Sequence, residues 1–200
     1  MPRVIFVLTV LWGLSGCVTA RQGDDATPQK LHSEGTGIVL MHSSLHQGCP
    51  LIGSTLAKKD ASGQWVQTQT PLLKGAADIR MIPSQIVLPA GEWGFVKLTC
   101  GRNHYGGSRM VKRGDIWDNT GAIYEKPFAT FTVNAGEVVD IGSLRLPSRT
   151  VLSEDRRQVR NVFVGVVTAT PEEWLENLAK VSPDIYNARV TRHMVSSLKI

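Results

Sequence analysis

The sequence predicts a mainly β protein, an antiparallel β-sandwich with a short α-helical C-terminal extension. Short β-type runs are separated by turn residues at intervals of about ten residues. No helical periodicity is present before Ser153, and one apolar stripe with helical spacing follows Thr170. This arrangement is typical of two sheets packed face to face, with helices added at the end of the chain.

The N-terminus has the three-part form of a secretory signal. Arg3 supplies a positive charge, and residues 4–12 form an apolar stretch too short to span a bilayer. The run "LSGC", which ends at Cys17, follows this stretch and resembles the lipobox of bacterial lipoproteins. The resemblance implies cleavage before Cys17 and acylation of that residue. It predicts a signal peptide over residues 1–16 and a membrane anchor at Cys17.

The residues after Cys17 bear on localisation. Val18 is not the aspartate that retains such lipoproteins at the inner membrane of enteric bacteria. The resemblance therefore implies the outer membrane, facing the periplasm, although a non-enteric host leaves the choice of membrane open. Residues 18–20 also satisfy the small-x-small rule, and cleavage after Ala20 would release a soluble periplasmic protein. Residues 17–36 are otherwise polar and predict a flexible tether.

The β-sandwich domain is predicted over residues 37–150. Residues 38–41 form an apolar run, residues 51–56 and 65–70 flank a turn at 59–63, and residues 79–82 are a weaker strand candidate. The clearest unit, "SQIVLPAGEWGFVKLTC", covers residues 84–100 and places the turn "PAGE" between two strands. In the second of these strands, Val96, Leu98 and Cys100 share one face, which predicts that Cys100 points into the core.

A similar unit, "FATFTVNAGEVVDIGSLRLP", covers residues 128–147 and contains the turn "NAGE". Its apolar phase shifts across Gly142 and Ser143, which predicts a β-bulge. The runs "LPAGEW" and "FTVNAGEVVDIG" resemble turns of prealbumin-like and carboxypeptidase-regulatory-like β-sandwich domains. The resemblance covers residues 37–147 and implies a non-catalytic binding or structural module. It assigns no functional residues.

Residues 151–200 predict one strand followed by helices. Residues 162–167 are continuously apolar, as in a buried strand. Thr170, Pro171 and Glu173 match a capping box with proline at the first helical position. The apolar stripe of this helix comprises Trp174, Leu175, Leu178 and Val181, and a second helix starting at Ser182 and Pro183 places Tyr186, Val190 and Met194 at fourfold spacing. We expect both helices to pack on the sandwich.

The cysteines leave two alternatives open. Either signal cleavage removes Cys17 from the thiol count, so that Cys49 and Cys100 remain as a pair. In an oxidising envelope this pair predicts a disulfide, which would stabilise the fold by about 4 kcal/mol. The alternative is a periplasmic zinc- or copper-binding protein, whose ligands would be His42, His46 and His104, with or without the two cysteines.

Charge and motifs exclude several classes of function. The chain has 22 basic and 17 acidic residues, a formal net charge of +5. Basic clusters at residues 156–160 and at Arg109, Lys112 and Arg113 are solvated faces or contacts for envelope proteins, anionic glycolipid or glycan. An exported lipoprotein is not expected to bind nucleic acid. Because the sequence contains no nucleophile elbow, H-E-x-x-H, P-loop or dinucleotide fingerprint, we expect no enzyme activity and no cofactor.

Residues 101–126 predict a long polar loop, and this loop is the candidate ligand site. It contains His104, Tyr105 and Trp117, and long loops on rigid β scaffolds often carry binding. Asp115 and Asp118 lie close to Trp117 in the sequence, and an aromatic residue near carboxylates is common in carbohydrate-binding sites. Two nearby acids are too common to predict glycosidase chemistry, which requires a defined separation across a cleft.

Overall fold

The computed structural model describes residues 28–44, 52–68, 82–100, 103–117, 119–145, 148–152, 159–163 and 166–196. The helices in these ranges are α1 (Pro28–Ser33), α2 (Glu172–Val181) and α3 (Pro183–Ala188). The strands are β1 (Thr36–Ser44), β2 (Ile52–Lys59), β3 (Trp65–Gln67), β4 (Ser84–Pro89), β5 (Gly91–Cys100), β6 (Asn103–Gly107), β7 (Met110–Lys112), β8 (Ile123–Tyr124), β9 (Ala129–Val133), β10 (Val138–Arg145), β11 (Ser148–Leu152), β12 (Val159–Phe163), β13 (Val166–Thr168), β14 (Arg189–Thr191) and β15 (Val195–Ser196). None of the described helices is long and apolar enough to cross a membrane.

The strands form two main sheets. Sheet A has the order β13-β10-β1-β4, with β14 also paired to β10. Sheet B has the order β15-β9-β5-β2-β3-β8-β7, with β6 also paired to β5, and β11 pairs with β12 separately. Most neighbours are antiparallel, but β1–β10 and β10–β14 are parallel. The predicted mainly β, sandwich-like fold with a helical C-terminal part is confirmed.

The main core lies between the two sheets. Sheet A contributes residues such as Val39 and Ile141, and sheet B contributes Trp93, Phe95 and Phe131. Since side chains alternate along a strand, the other face of sheet A is also apolar, and the helices cover it. The second cluster accordingly joins six buried residues of α1, α2 and sheet A: Leu31, Ile38, Leu40, Val87, Val138 and Leu178.

Both A-G-E turns carry the chain from one sheet to the other. The first leads from β4 in sheet A to β5 in sheet B, and the second leads from β9 in sheet B to β10 in sheet A. The two turns meet at the start of β1, where Ala90 N donates to Gly35 O at 2.9 Å and Gly136 N donates to Thr36 O at 2.7 Å. The predicted turns are therefore present, and they form one corner of the sandwich.

The N-terminal boundary of the folded domain lies earlier than the sequence indicates. Residues 17–36 are predicted as a flexible tether, but α1 forms within them, and the side chain of Leu31 is fully buried in the second cluster. Thr36 and Gly37, at the predicted boundary, are already part of β1. The corrected domain therefore includes residues from Pro28 onwards.

The segment 101–126 is also more regular than predicted. Instead of one long loop it contains β6, β7 and β8, which extend sheet B. The strand β6 has the sequence "NHYGG", which lacks apolar alternation, and it joins the sheet through backbone pairing with β5. Among the described residues of this segment, the irregular parts are residues 108–109, 113–117, 119–122 and 125–126. The weaker strand candidate at 79–82 falls outside the described residues except for Ile82, which is buried and lies before β4.

The C-terminal helices pack on the sandwich as predicted, but their ends differ. Pro171 is the N-cap residue of α2, and no side-chain hydrogen bond caps this helix, so the predicted capping box is absent. The second helix ends at Ala188, and Val190 lies in β14 instead of continuing the helical spacing. Met194 reaches the main core from the segment after β14. A strand pairing with β10 therefore replaces the last predicted helical turn.

Candidate functional site

The strand β10 carries a bulge where it pairs with β1. Two of its residues, Ile141 and Gly142, lie opposite the single residue Met41. Gly142 has a φ of +88°, and a Cβ atom there would lie 2.5 Å from Thr168 O. A left-handed backbone in close contact with another strand requires glycine. The bulge predicted from the phase shift is confirmed.

Four buried polar side chains surround this bulge: His42, Asp140, Ser143 and Thr170. His42 Nδ1 lies 2.7 Å from Ser143 Oγ, and the His42 ring packs edge-on against the ring of Trp174, with 4.1 Å between the centroids. Trp174 belongs to α2, so this histidine lies beneath the helix on the outer face of sheet A. We call these four residues the bulge cluster.

Asp140 accepts two hydrogen bonds within the bulge cluster. Its Oδ1 atom accepts from Gly142 N at 3.0 Å and from Thr170 Oγ1 at 2.7 Å. The first bond fixes the bulge, and the second ties Thr170, two residues before α2, to sheet A. The capping box is absent because the N-cap position is occupied by Pro171, which has no side-chain acceptor, and Thr170 lies one residue before it.

The His42–Ser143 pair has the distance of a nucleophile and its general base, but not the access. The Ser143 side chain is 0% exposed and that of His42 is 7% exposed. A nucleophile must touch its substrate, and here the pair is enclosed by strands and α2. The bulge cluster therefore has a structural role in joining α2 to sheet A. The burial of His42 could have been inferred from the sequence, since His42 lies on the same face of β1 as Ile38 and Leu40.

A second unusual site is the loop after β7, which is described at residues 113–117 and 119–122 and is here called the Trp117 loop. Ile116 is 68% exposed and Trp117 is 88% exposed. The loop is nevertheless hydrogen-bonded internally: Asp115 N donates to Thr120 O at 2.8 Å, and Asn119 N donates to Asp115 O at 3.0 Å. Trp117 N donates to the Asp115 carboxylate at 2.8 Å. Two large apolar side chains are thus held outward by an ordered backbone.

The base of the Trp117 loop is fixed to sheet B. Gln67 N donates to Ala122 O at 2.8 Å, and Gly121 N donates to Gln67 O at 2.7 Å, so the loop continues the strand pairing with β3. Ala122 is buried with Tyr124 in a third apolar cluster. Tyr124 OH donates to Gln67 Oε1 at 2.7 Å, and burial raises the pKa of this tyrosine above its usual value.

The strand before the Trp117 loop adds further exposed residues. Val111 is exposed and forms a bulge, because Met110 pairs with Tyr124 while Lys112 pairs with Ile123. Three basic residues in this region are exposed: Arg109, Lys112 and Arg113. Within the ranges that the structure describes, none of the three forms an ion pair. The site thus combines two exposed apolar side chains with exposed basic residues on the strand before them and at its end.

The other predicted site residues are placed only in part. His104 and Tyr105 lie in β6, where their backbone is described and their side chains are not. Cys100 ends β5 in the same way. Cys17, His46, Cys49 and Asp118 lie outside the described residues, so the predicted lipidation, disulfide and metal site remain predictions. No group of three or more potential metal ligands occurs among the described side chains, and His42 contacts Ser143.

The fold and the two sites define a mainly β two-sheet domain with one enclosed polar cluster and one exposed apolar loop. Comparison with known proteins adds no relative: no family model matches the chain, and neither a curated protein nor a solved structure is significantly similar to it. The assignment of function therefore depends on the chemistry of the sites and on the N-terminal sequence.

Proposed function

We propose that this protein is a non-catalytic binding module of the bacterial envelope, anchored to the outer membrane through acylated Cys17, with the Trp117 loop as its binding element. The observation that carries the proposal is the exposure of Ile116 and Trp117 on a hydrogen-bonded loop. Large apolar side chains are normally withdrawn from water, and adjacent exposed ones mark interaction sites.

The composition around the loop supports a binding role. Tryptophan, methionine and arginine are enriched at interfaces, and Trp117, Met110 and Arg109 all belong to the exposed region. Because the loop is already ordered by its own hydrogen bonds, a partner would not need to order it on binding. For the same contact area, an apolar loop that is already ordered therefore binds more tightly than one that must be ordered on binding.

The anchoring part of the proposal comes from the "LSGC" run. Residues 18–27 separate Cys17 from α1, and a fully extended chain over this interval reaches about 40 Å. An acylated Cys17 would therefore keep the folded domain close to the membrane surface. Several acyl chains give durable attachment, since each buried methylene contributes about 0.8 kcal/mol.

The anchor is tested by acyl-chain labelling of the expressed full-length protein. We expect label in the parent chain, none in Cys17→Ser, and unchanged label in Cys49→Ser, which removes a thiol elsewhere. Label that persists in Cys17→Ser would contradict the lipoprotein assignment.

The absence of catalysis and the state of the cysteines need separate tests. Titration of free thiols in the unreduced protein, with metal analysis, should give no free thiol and no bound metal if Cys49 and Cys100 form a disulfide. Two free thiols with stoichiometric zinc or copper would instead support the metal-binding alternative. A reproducible hydrolase or transferase activity that is lost in Ser143→Ala would refute the non-catalytic proposal.

A further inference from the structure

We propose that the partner of the Trp117 loop is an anionic lipid surface, into which Ile116 and Trp117 insert while Arg109, Lys112 and Arg113 contact the headgroups. This inference rests on the proposed binding function and names the class of ligand. The proposed ligand is the surface of a bilayer, and the proposal involves no peptide or glycan ligand.

The apolar tip has the composition of a membrane-interface anchor. Trp117 is 88% exposed and its neighbour Ile116 is 68% exposed, so two consecutive residues of the loop leave large apolar side chains in water. Tryptophan favours the boundary between headgroups and acyl chains, because its ring is apolar and its N–H group still reaches polar groups. Insertion of the tip would remove this surface from water without any change in the fold.

The backbone of the loop is suited to a non-aqueous environment. Inserted backbone N–H and C=O groups must find partners within the protein, because lipid supplies none. The amides of Asp115, Trp117 and Asn119 already donate within the loop, and Ala122 N donates to Asn119 O at 2.8 Å. Much of the desolvation cost that an open loop would meet on insertion is therefore avoided.

The charges beside the tip favour an anionic surface. Arg109, Lys112 and Arg113 are exposed and follow or flank β7, next to the exposed Met110 and Val111. Basic residues close to a bilayer are attracted to anionic lipids over a distance of about one Debye length. The same segment contains three acidic residues, Asp115, Asp118 and Glu125, so the apolar tip supplies the larger share of binding and the cations supply the lipid preference.

A protein strand is a poorer occupant of this region. The strand β7 lies at the end of the described order of sheet B, where an added strand would pair. It has only three residues, its pairing with β8 is interrupted by a bulge at Val111, and Lys112 lies within it. Short, bulged and charged edge strands resist further strand pairing.

The experiment measures vesicle binding of variants made in one Cys17→Ser background, so that the acyl anchor is absent and any contribution of the N-terminal segment is common to all. The vesicles contain phosphatidylcholine alone or mixed with phosphatidylglycerol. We expect the parent chain to co-sediment with the mixed vesicles, and the double variant Ile116→Asp/Trp117→Asp to bind about tenfold more weakly. Lys112→Glu/Arg113→Glu should lose the preference for anionic over neutral vesicles.

Val195→Asp is the control for added negative charge, because Val195 is 69% exposed on β15, at the other end of sheet B from β7, and its substitution introduces one of the two charges of the tip variant there. It should bind as the parent does, and all variants should show the parent's unfolding midpoint. Equal vesicle binding by the parent and the double tip variant would overturn the proposal. So would a parent chain that ignores both vesicle types but cross-links, through the Trp117 loop, to an envelope protein. That second result would leave the proposed binding function intact, and acyl labelling tests the anchor independently.

Discussion

Polar side chains usually lie at the surface and large apolar ones in the core, and both the bulge cluster and the Trp117 loop depart from this rule. They differ in whether hydrogen bonds within the protein offset the cost. In the bulge cluster, polar groups are buried, and His42 and Asp140 are hydrogen-bonded to Ser143 and Thr170. In the Trp117 loop, apolar groups are exposed, and the hydrogen bonds beneath them involve the backbone and the Asp115 carboxylate.

This difference separates a structural site from a binding site. A buried polar group is tolerated when its hydrogen bonds are made within the protein, and it then contributes to one defined packing of the elements it joins. An exposed apolar group gains nothing from the fold around it, and its free energy improves only when a partner covers it. The bulge cluster should therefore govern stability, and the Trp117 loop should govern association.

Within the two sites, the largest effect on stability is expected for Asp140→Ala. The substitution leaves Gly142 N and the Thr170 hydroxyl without their acceptor in a buried environment, and it should lower the free energy of unfolding by about 3 kcal/mol. Urea unfolding followed by circular dichroism measures this change. Asp140→Asn keeps an oxygen acceptor and should lose less than half as much. Equal losses in the two variants would show that the charge, and not the hydrogen bonds, matters at this position.

Gly142→Ala tests the bulge itself. The new Cβ atom would meet Thr168 O at 2.5 Å, on a backbone with a φ of +88°, so we expect a loss of about 2 kcal/mol or more. Gly121→Ala is the matched control, because Gly121 has a φ of +81° and nothing within 4 Å of the added atom. Backbone strain alone should cost this control about 1 kcal/mol. A loss in Gly142→Ala no greater than in the control would contradict the close approach to Thr168.

Much of the fold could be predicted from local sequence patterns, because the alternation of apolar residues depends directly on the local backbone conformation. The alternation in "IVLMH" places Ile38 and Leu40 on one face, and the phase shift at Gly142 predicts the bulge. The sheet-crossing role of the A-G-E turns was not predictable in this way. Turn chemistry specifies that the chain changes direction, whereas the strand beside which it continues is decided by packing between sheets.

The remaining differences have the same origin in long-range contacts. The helix α1 is too short to show a period, and among its described side chains Leu31 is the buried one that packs on the sheet. Thr170 has the local signature of an N-cap, but its hydroxyl donates to Asp140, which lies thirty residues earlier. Of the candidate ligand loop, the sequence correctly indicated that Trp117 lies in an irregular segment, while the strand character of "NHYGG" depends on pairing with β5.

Tyr124→Phe tests how much the hydrogen bond at the base of the Trp117 loop contributes to stability, for comparison with the bonds of the bulge cluster. Loss of the hydrogen bond to Gln67 should cost about 1 kcal/mol at neutral pH. Burial raises the pKa of Tyr124 above its ordinary value of 10.0, so the folded state holds this proton more tightly than the unfolded state does. Its contribution is therefore complete below pH 10 and is lost as pH rises through the folded-state pKa. The stability difference between parent and variant, measured by urea unfolding, should shrink in that alkaline range; a constant difference would contradict it.

The smallest effect on stability is expected for Trp117→Ala, although this residue is the largest side chain in its loop. Its side chain is 88% exposed, so truncation removes almost no contact within the fold, and the free energy of unfolding should change by less than about 0.5 kcal/mol. Trp93→Ala is the contrasting variant, because that tryptophan is buried between the sheets and its truncation should cost about 3 kcal/mol or more. Urea unfolding of both proteins measures the difference. A destabilisation of Trp117→Ala approaching that of Trp93→Ala would mean that Trp117 packs within the fold. That result would contradict the proposal that the Trp117 loop is a binding surface.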